Sequence, residues 1–215
     1  RNEALFSMVG AGAANIAIAR VLVSSGVKKE NIIMADSKGI LHPGRKDIQE
    51  IKDENPVKWD ICINSNGEGR TGSIADAICG TDICIAASKP GPGTIKKEWI
   101  QEMNDDSIVF ATANPIPEIW PWEAEEAGVK IFATGRSDFP NQINNSLGFP
   151  GIFRGTLDVR AETITDEMCI AAAFELAKTA EDKGISEKYI VPTMDSWEVF
   201  PREAVVVGLK AISQG

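Results

Sequence analysis

The chain has 215 residues, 43% of them hydrophobic and 25% charged, the composition of a globular protein long enough to bury a full core. Its formal net charge of −9 argues against nucleic acid, whose binding depends on basic surfaces. No apolar run reaches the roughly 18 residues of a membrane span and no signal peptide is visible, so a cytoplasmic protein that binds neither nucleic acid nor membrane is expected.

Residues 4–9 read as a buried strand, Gly10-Ala11-Gly12-Ala13-Ala14-Asn15 as a glycine turn opening a helix, and residues 31–35 as a second strand ending at Asp36. Strand, glycine turn, helix, strand and acid is the layout of a dinucleotide-binding βαβ unit. Gly10 allows the tight turn, and Gly12 lets a pyrophosphate approach the backbone. The helix start offers unpaired N–H groups and the positive end of its dipole. Asp36, 21 residues beyond Asn15, is placed to accept hydrogen bonds from the adenosine ribose. The third fingerprint position, ordinarily Gly or Ala for close packing, is Asn15; its side chain either points outward from the helix start or faces the cofactor. Asp36 also bears on the cofactor. Its carboxylate favours the free ribose hydroxyl of NAD and repels the extra phosphate of NADP, whereas Lys38 and Arg45 nearby are cations that partly rescue NADP. NAD is expected, with NADP as the alternative.

Further strands are expected at 82–87, after a helix at 73–79; at 107–113, after an amphipathic helix at 94–103; and at 129–134, after a helix at 122–127. These runs are apolar throughout, as strands covered on both faces must be. Five strands alternating with helices predict an α/β fold: a Rossmann-like, doubly wound, mainly parallel sheet. Beyond Gly135 the pattern changes to a stretch rich in Pro, Asn and Gly (137–155) that leads to the helices of the C-terminal part. A long helix at 166–180, capped by Thr165, and a last helix at 201–212 follow. Residues 1–215 thus read as one dinucleotide-binding domain, with 165–215 a C-terminal helical extension of the kind that covers the sheet or meets a neighbouring domain.

The four cysteines, Cys62, Cys79, Cys84 and Cys169, show no CxxC spacing and read as buried reduced thiols, which suits the cytosol. His42, the sole histidine, lies in a turn and reads as a surface residue, so a zinc site has almost no support.

Ligands of open α/β sheets bind at the carboxyl ends of the strands. The residues there are Gly10 and Gly12; Asp36, Ser37 and Lys38; Ser88 within 87–91; Asn114 within 113–118; and residues 135–138. Asn114 offers an amide that can donate to a carboxylate or carbonyl and accept from OH or NH2, or else serves as a turn residue bonding its own backbone. Asn144 and Asn145, in a stretch of amides and backbone breakers, read either as loop formers or as ligands.

The runs 9–14, 35–39, 110–115 and above all 133–145 (Ala-Thr-Gly-Arg-Ser-Asp-Phe-Pro-Asn-Gln-Ile-Asn-Asn), continued by 149–161, resemble the C-terminal NAD-binding domain of the small prokaryotic-type malic enzymes. The resemblance covers nearly the whole chain. It implies oxidation of L-malate with NAD or NADP and decarboxylation to pyruvate and CO2, with Mg2+ or Mn2+. Carried over by motif, Gly10, Ala11, Gly12, Ala13, Ala14 and Asn15 hold the pyrophosphate and Asp36 the ribose, with Ser37 and Lys38 in the cofactor-binding set. Ser88 and Asn114 join the cofactor set, and Asn114, Asn144 and Asn145 contact malate or the nicotinamide side. The family's general acid Tyr, general base Lys and Glu/Asp metal ligands resemble nothing here; Tyr189, the sole tyrosine, lies in surroundings that do not match. No catalytic residue and no metal ligand is therefore expected in this chain. Its opening on Arg1, with a strand almost at once, fits the cofactor half of a longer polypeptide. A homodimer is implied as well. Two alternatives stay open: a free-standing dinucleotide-binding module without chemistry, and another 2-hydroxy-acid dehydrogenase, whose catalytic His the position of His42 is ill-suited to supply.

Overall fold

The apolar runs become strands, and much of the sequence between them becomes the helices that cover the sheet. A computed structural model describes residues 3–215, so the opening Arg1 lies outside the described residues. In chain order these form β1 (Phe6–Val9), α1 (Ala13–Ser24), β2 (Ile32–Asp36), β3 (Gly39–Ile40), α2 (Lys46–Glu50), α3 (Pro56–Asn64), α4 (Ile74–Ile78) and β4 (Ile83–Ala86). There follow α5 (Lys97–Ile100), β5 (Ile108–Ala111), α6 (Pro121–Glu126), β6 (Ile131–Thr134), α7 (Phe149–Asp158), α8 (Asp166–Asp182) and α9 (Val199–Gln214).

The strand order is β3-β2-β1-β4-β5-β6. β1 is parallel to both β2 and β4, with Val9 opposite Ala35 on one side and Ala86 on the other, and β4 is parallel to β5. The chain therefore builds outward from β1 in one direction and then crosses to the other. That reversal is the switch point at which doubly wound sheets leave a crevice. Alternate residues of one strand feed different core clusters, as a period of two requires. Met8 and Met34 join Leu41, Ile48 and Cys62, while Val9 joins Cys84, Val109 and Ile119, and Ile33 and Ala35 pack with Ile40 and Ala77.

Several expectations need correction. The sheet has a sixth strand among the described residues: β3 runs antiparallel to β2, and Ile40 N–H also reaches Gly72 O at 2.9 Å. Two residues are too few to show a period. The helix expected at 94–103 is helical only over Lys97–Ile100. α2 and α3 were not anticipated, although α3 carries a readable start: Pro56 follows Asn55, whose side chain accepts the N–H of Lys58 at 3.1 Å. The Pro-, Asn- and Gly-rich stretch 137–155, for which no helix was expected, contains the first part of α7. Gly155 within it serves close packing: a Cβ there would stand 2.4 Å from Ala204 O. Cys62 and Cys84 are buried, but Cys79 is exposed at the C-cap of α4 and Cys169 is half-buried.

The chain divides into two compact units, the first ending at Ala133 and the second Thr134–Gly215. In the second, α7, α8 and α9 surround a core of Met168, Ala172, Val207 and Ala211. The expected cap is formed there: Met168 N–H donates to Thr165 Oγ1 at 3.2 Å.

Candidate nucleotide-binding site

Gly10 and Gly12 are glycines for opposite reasons. Gly10 has φ +103° and donates its N–H to Ala35 O at 2.8 Å, and a Cβ there would lie 2.4 Å from Ala87 O. The ends of β1, β2 and β4 converge on it, leaving no room for a side chain. A Cβ on Gly12 would meet nothing within 4 Å. Gly12 is the N-cap of the 12-residue α1; no side chain caps that helix, and its first turn holds no acid. Gly12, Ala13 and Ala14 are exposed and Ala11 is half-buried, so the unpaired N–H groups of the first turn and the positive end of the dipole face open space. These residues fit a pyrophosphate.

Asn15 takes neither orientation expected of it. The side chain is fully buried, and its Nδ2 donates to Val9 O at 2.9 Å and Gly10 O at 2.8 Å. It turns inward because the carbonyls at the end of β1 offer it acceptors. Asn15 thus clamps the turn that Gly or Ala would only let pack.

Asp36, at the end of β2, is held from three sides. Arg45 contacts both carboxylate oxygens at 3.1 Å, Lys58 Nζ reaches Oδ2 at 2.9 Å, and the N–H of Lys38 donates to Oδ1 at 2.9 Å. Burial pushes the Asp36 carboxyl up, but the hydrogen bonds from Arg45, Lys58 and Lys38 outweigh it and hold the group below the usual carboxylate range. Arg45 is itself gripped by Asp47 at 2.8 and 2.9 Å, and Lys38 Nζ pairs with Asp47 at 3.1 Å. A cleft of about 530 Å³ lined by Ser37, Lys38, His42, Arg45, Gly72 and Trp99 opens beside this cluster. His42 is half-buried, its Nδ1 accepting the N–H of Gly44 at 3.1 Å.

The loops after β4 and β5 meet on Glu118. This fully buried carboxylate accepts the N–H of Ser88 at 2.8 Å and that of Ala113 at 3.0 Å. Asn114 follows Ala113 directly, is exposed, and precedes Pro115 across a cis peptide bond. In the first unit the strand ends thus bring together Gly10, Gly12, Ser88 and the Ala35–Asp36 end of β2. Sequence reasoning assigned no role to Glu118 or Lys58. Glu118 carried one signal, an acid set between Pro117 and Ile119; Lys58 carried none beyond its charge.

In the second unit, Asn144 caps a single 3-10 turn: its Oδ1 accepts from Ser146 N–H at 3.0 Å and Ser146 Oγ at 2.6 Å. Asn145 is exposed. The neighbouring Asn141 is buried and bonds Glu187 O at 2.7 Å and Ile190 N–H at 3.0 Å, anchoring the loop. Among the described residues no group of three or more His, Cys, Asp or Glu side chains is arranged to hold a metal ion.

A mostly parallel sheet with a glycine turn at its switch point, an open helix start and an acid at the end of the next strand defines a dinucleotide-binding domain of the Rossmann type. Residues 2–210 match the family described as malic enzyme, NAD binding domain, and the chain belongs to that family. It is 44% identical over 201 residues to an NAD-dependent malic enzyme of Geobacillus stearothermophilus, covering 93% of this chain and 40% of the relative. It is 40% identical over 222 residues to an NADP-dependent malic enzyme of Halomonas elongata, covering 96% and 50%. Among solved structures, malic enzyme of Entamoeba histolytica shares 50% identity at a TM-score of 0.95, over 100% of this chain and 44% of that one. The chain therefore spans about half the length of the curated relatives it matches.

Proposed function

We propose that this chain is the cofactor-binding half of an enzyme that oxidises L-malate with NAD and decarboxylates the product to pyruvate and CO2. The observation that carries the reading is the open start of α1 at Gly12, with Asp36 at the end of the adjoining strand, in a chain matched to the malic enzyme family over residues 2–210. Bound NAD supplies a hydride acceptor. The chain's own residues do the holding. The N–H groups of Gly12, Ala13 and Ala14 receive the pyrophosphate, and Asp36 accepts from the adenosine ribose beside Ser37 and Lys38. Ser88 and Asn114 border the nicotinamide end, and the amides of Asn114, Asn144 and Asn145 orient malate. Orientation of both reacting carbons is what this half contributes to rate.

NAD is preferred because the ionised Asp36 already commands Arg45 and Lys58; a 2′-phosphate would have to displace the carboxylate to reach them. Among the described residues no group of three or more His, Cys, Asp or Glu side chains could hold a metal ion. We assign Mg2+ or Mn2+, with the proton-transferring groups, to the part of the polypeptide that the relatives carry outside this span. No helix among the described residues is long and apolar enough to cross a membrane. A cytoplasmic homodimer completes the reading.

The test is malate-dependent reduction of NAD by the full source polypeptide with Mn2+. NADH together with pyruvate, abolished by a chelator, supports the reading. NAD binding without turnover makes the chain a binding module, and NADH with oxaloacetate but no pyruvate makes the enzyme a simple dehydrogenase.

A further inference from the structure

The cations beside the strand ends of the first unit are not equivalent. Lys38, Arg45 and Lys58 are each bound to Asp36 or Asp47, so their charges are already answered. Lys89, directly after Ser88 in the loop that follows β4, is exposed, and its ammonium makes no hydrogen bond or ion pair among the described residues. The backbone beneath it is nevertheless fixed. Ser88 N–H is held by Glu118 at 2.8 Å, Lys89 O accepts from Thr94 Oγ1 at 3.1 Å, and Gly91 N–H donates to Ile116 O at 3.3 Å. The Lys89 side chain therefore leaves from a set point while its head stays uncommitted.

Its place follows from the register. Val9 is opposite Ala86 where β1 and β4 run parallel, and Ala87 N–H still donates to Val9 O at 3.0 Å. Gly12 stands three residues past Val9 and Lys89 three past Ala86, so the two leave neighbouring strands after equal lengths of chain. The approach there is close: Ser88 Cβ lies 3.0 Å from the place of a Cβ on Gly10. The Lys89 Cα is then within about 10 Å of Gly10. A four-carbon stem of about 6 Å brings the ammonium to where a phosphate on the helix start presents its oxygens. The charge balance points the same way. A dinucleotide brings a doubly negative pyrophosphate to a chain of net charge −9. The uncapped first turn of α1 answers with only roughly half a positive charge. We propose that Lys89 is the counter-ion of the cofactor's pyrophosphate, closing on it from the β4 side while the N–H groups of α1 hold it from beneath. The inference rests on the reading above that the open start of α1 seats the pyrophosphate.

The experiment compares the full source polypeptide with its Lys89→Gln and Lys89→Arg variants. Calorimetry gives Kd for NAD and for ADP-ribose, which keeps the pyrophosphate and lacks the nicotinamide. Each is measured at about 0.05 and 0.5 M NaCl, between which the Debye length shrinks about threefold. The expected result is that Lys89→Gln weakens both ligands about tenfold at low salt and less at high salt, while Lys89→Arg restores most of the loss. Malate KM and the melting temperature stay at the parent values. Unchanged NAD affinity in Lys89→Gln overturns the inference. Loss of NAD without loss of ADP-ribose, or a rise in malate KM alone, also overturns it, because the ammonium then serves the other end of the site. A loss that Arg does not rescue, with a lowered melting temperature, overturns it in favour of loop packing. A parent that binds no NAD removes the proposed function itself. A parent weakened by Gly12→Ala but not by Lys89→Gln keeps that reading and removes this residue alone.

Discussion

The Glu118 carboxylate accepts the backbone N–H of Ser88 at 2.8 Å from within the core, and with its other oxygen accepts Ala113 N–H at 3.0 Å. One side chain therefore fixes two strand-end loops, 30 and five residues away, against each other. The side chain adds to the backbone bonds Gly91 N–H to Ile116 O at 3.3 Å and Ile95 N–H to Glu118 O at 3.1 Å, and so fixes the positions of the rim residues beside them.

Replacing Glu118 by Ala leaves the buried Ala113 N–H without an acceptor, at about 1–3 kcal/mol, and removes the partner of the part-buried Ser88 N–H as well. Urea unfolding should show a loss of that order. NAD affinity, measured by calorimetry at a temperature where the variant is folded, should fall as the loops bearing Ser88 and Asn114 come apart. An unchanged midpoint would mean that the loops hold themselves.

Gly10 and Gly12 predict opposite outcomes from the same substitution. Gly10→Ala forces a Cβ to 2.4 Å from Ala87 O at φ +103° and should destabilise the fold by about 2 kcal/mol or more. Gly12→Ala meets nothing within 4 Å, so the melting temperature should barely move. The added methyl would stand in the space assigned to the pyrophosphate, so NAD affinity should drop about tenfold, or roughly 1.4 kcal/mol. If Gly12→Ala binds NAD normally, the open helix start is not the phosphate seat.

Asp36→Ser tests cofactor choice. Arg45 and Lys58 lose their shared anion and become available to a 2′-phosphate, so NADP affinity should rise about tenfold while that for NAD falls. The pH dependence has a definite sign. Folding lowers the Asp36 carboxyl below its ordinary value of 3.8, so its stabilising pairs are complete above that value and are lost as pH falls below it. Binding carried by this carboxylate should be flat from pH 5 to 8. Titration of NAD affinity within that interval at this site would contradict the assignment.

The strand, glycine turn, helix and strand from Phe6 to Asp36 were legible because periodicity, glycine placement and the terminal acid agree locally. What was not legible depends on partners distant in sequence. β3 exists because Gly72 lies beside Ile40, and α7 exists because Gly155 faces Ala204. Asn15 turns inward toward carbonyls that only the folded turn presents. Lys58 reaches Asp36 across 22 residues, and no spacing rule announces it.

Glu203 supplies the remaining prediction. It is fully buried on α9, and neither carboxylate oxygen has a hydrogen-bond partner among the described residues. A Cβ on Gly151 would stand 2.7 Å from its Oε2, so α7 closes over it. Burial first, and then the nearby Glu175 carboxylate, push its pKa up to about 8. Glu175 is itself paired with Arg202, which also bonds Asp182. The folded chain therefore holds a proton that the unfolded chain releases near pH 4.5, and stability must fall as pH rises from that value to about 8. Glu203→Gln removes the titration while keeping the shape. The variant should match the parent near pH 4 and exceed it at pH 8, by something on the order of 3 kcal/mol. Thermal melts of both proteins across that range decide the matter, since parallel curves would mean that Glu203 ionises without cost.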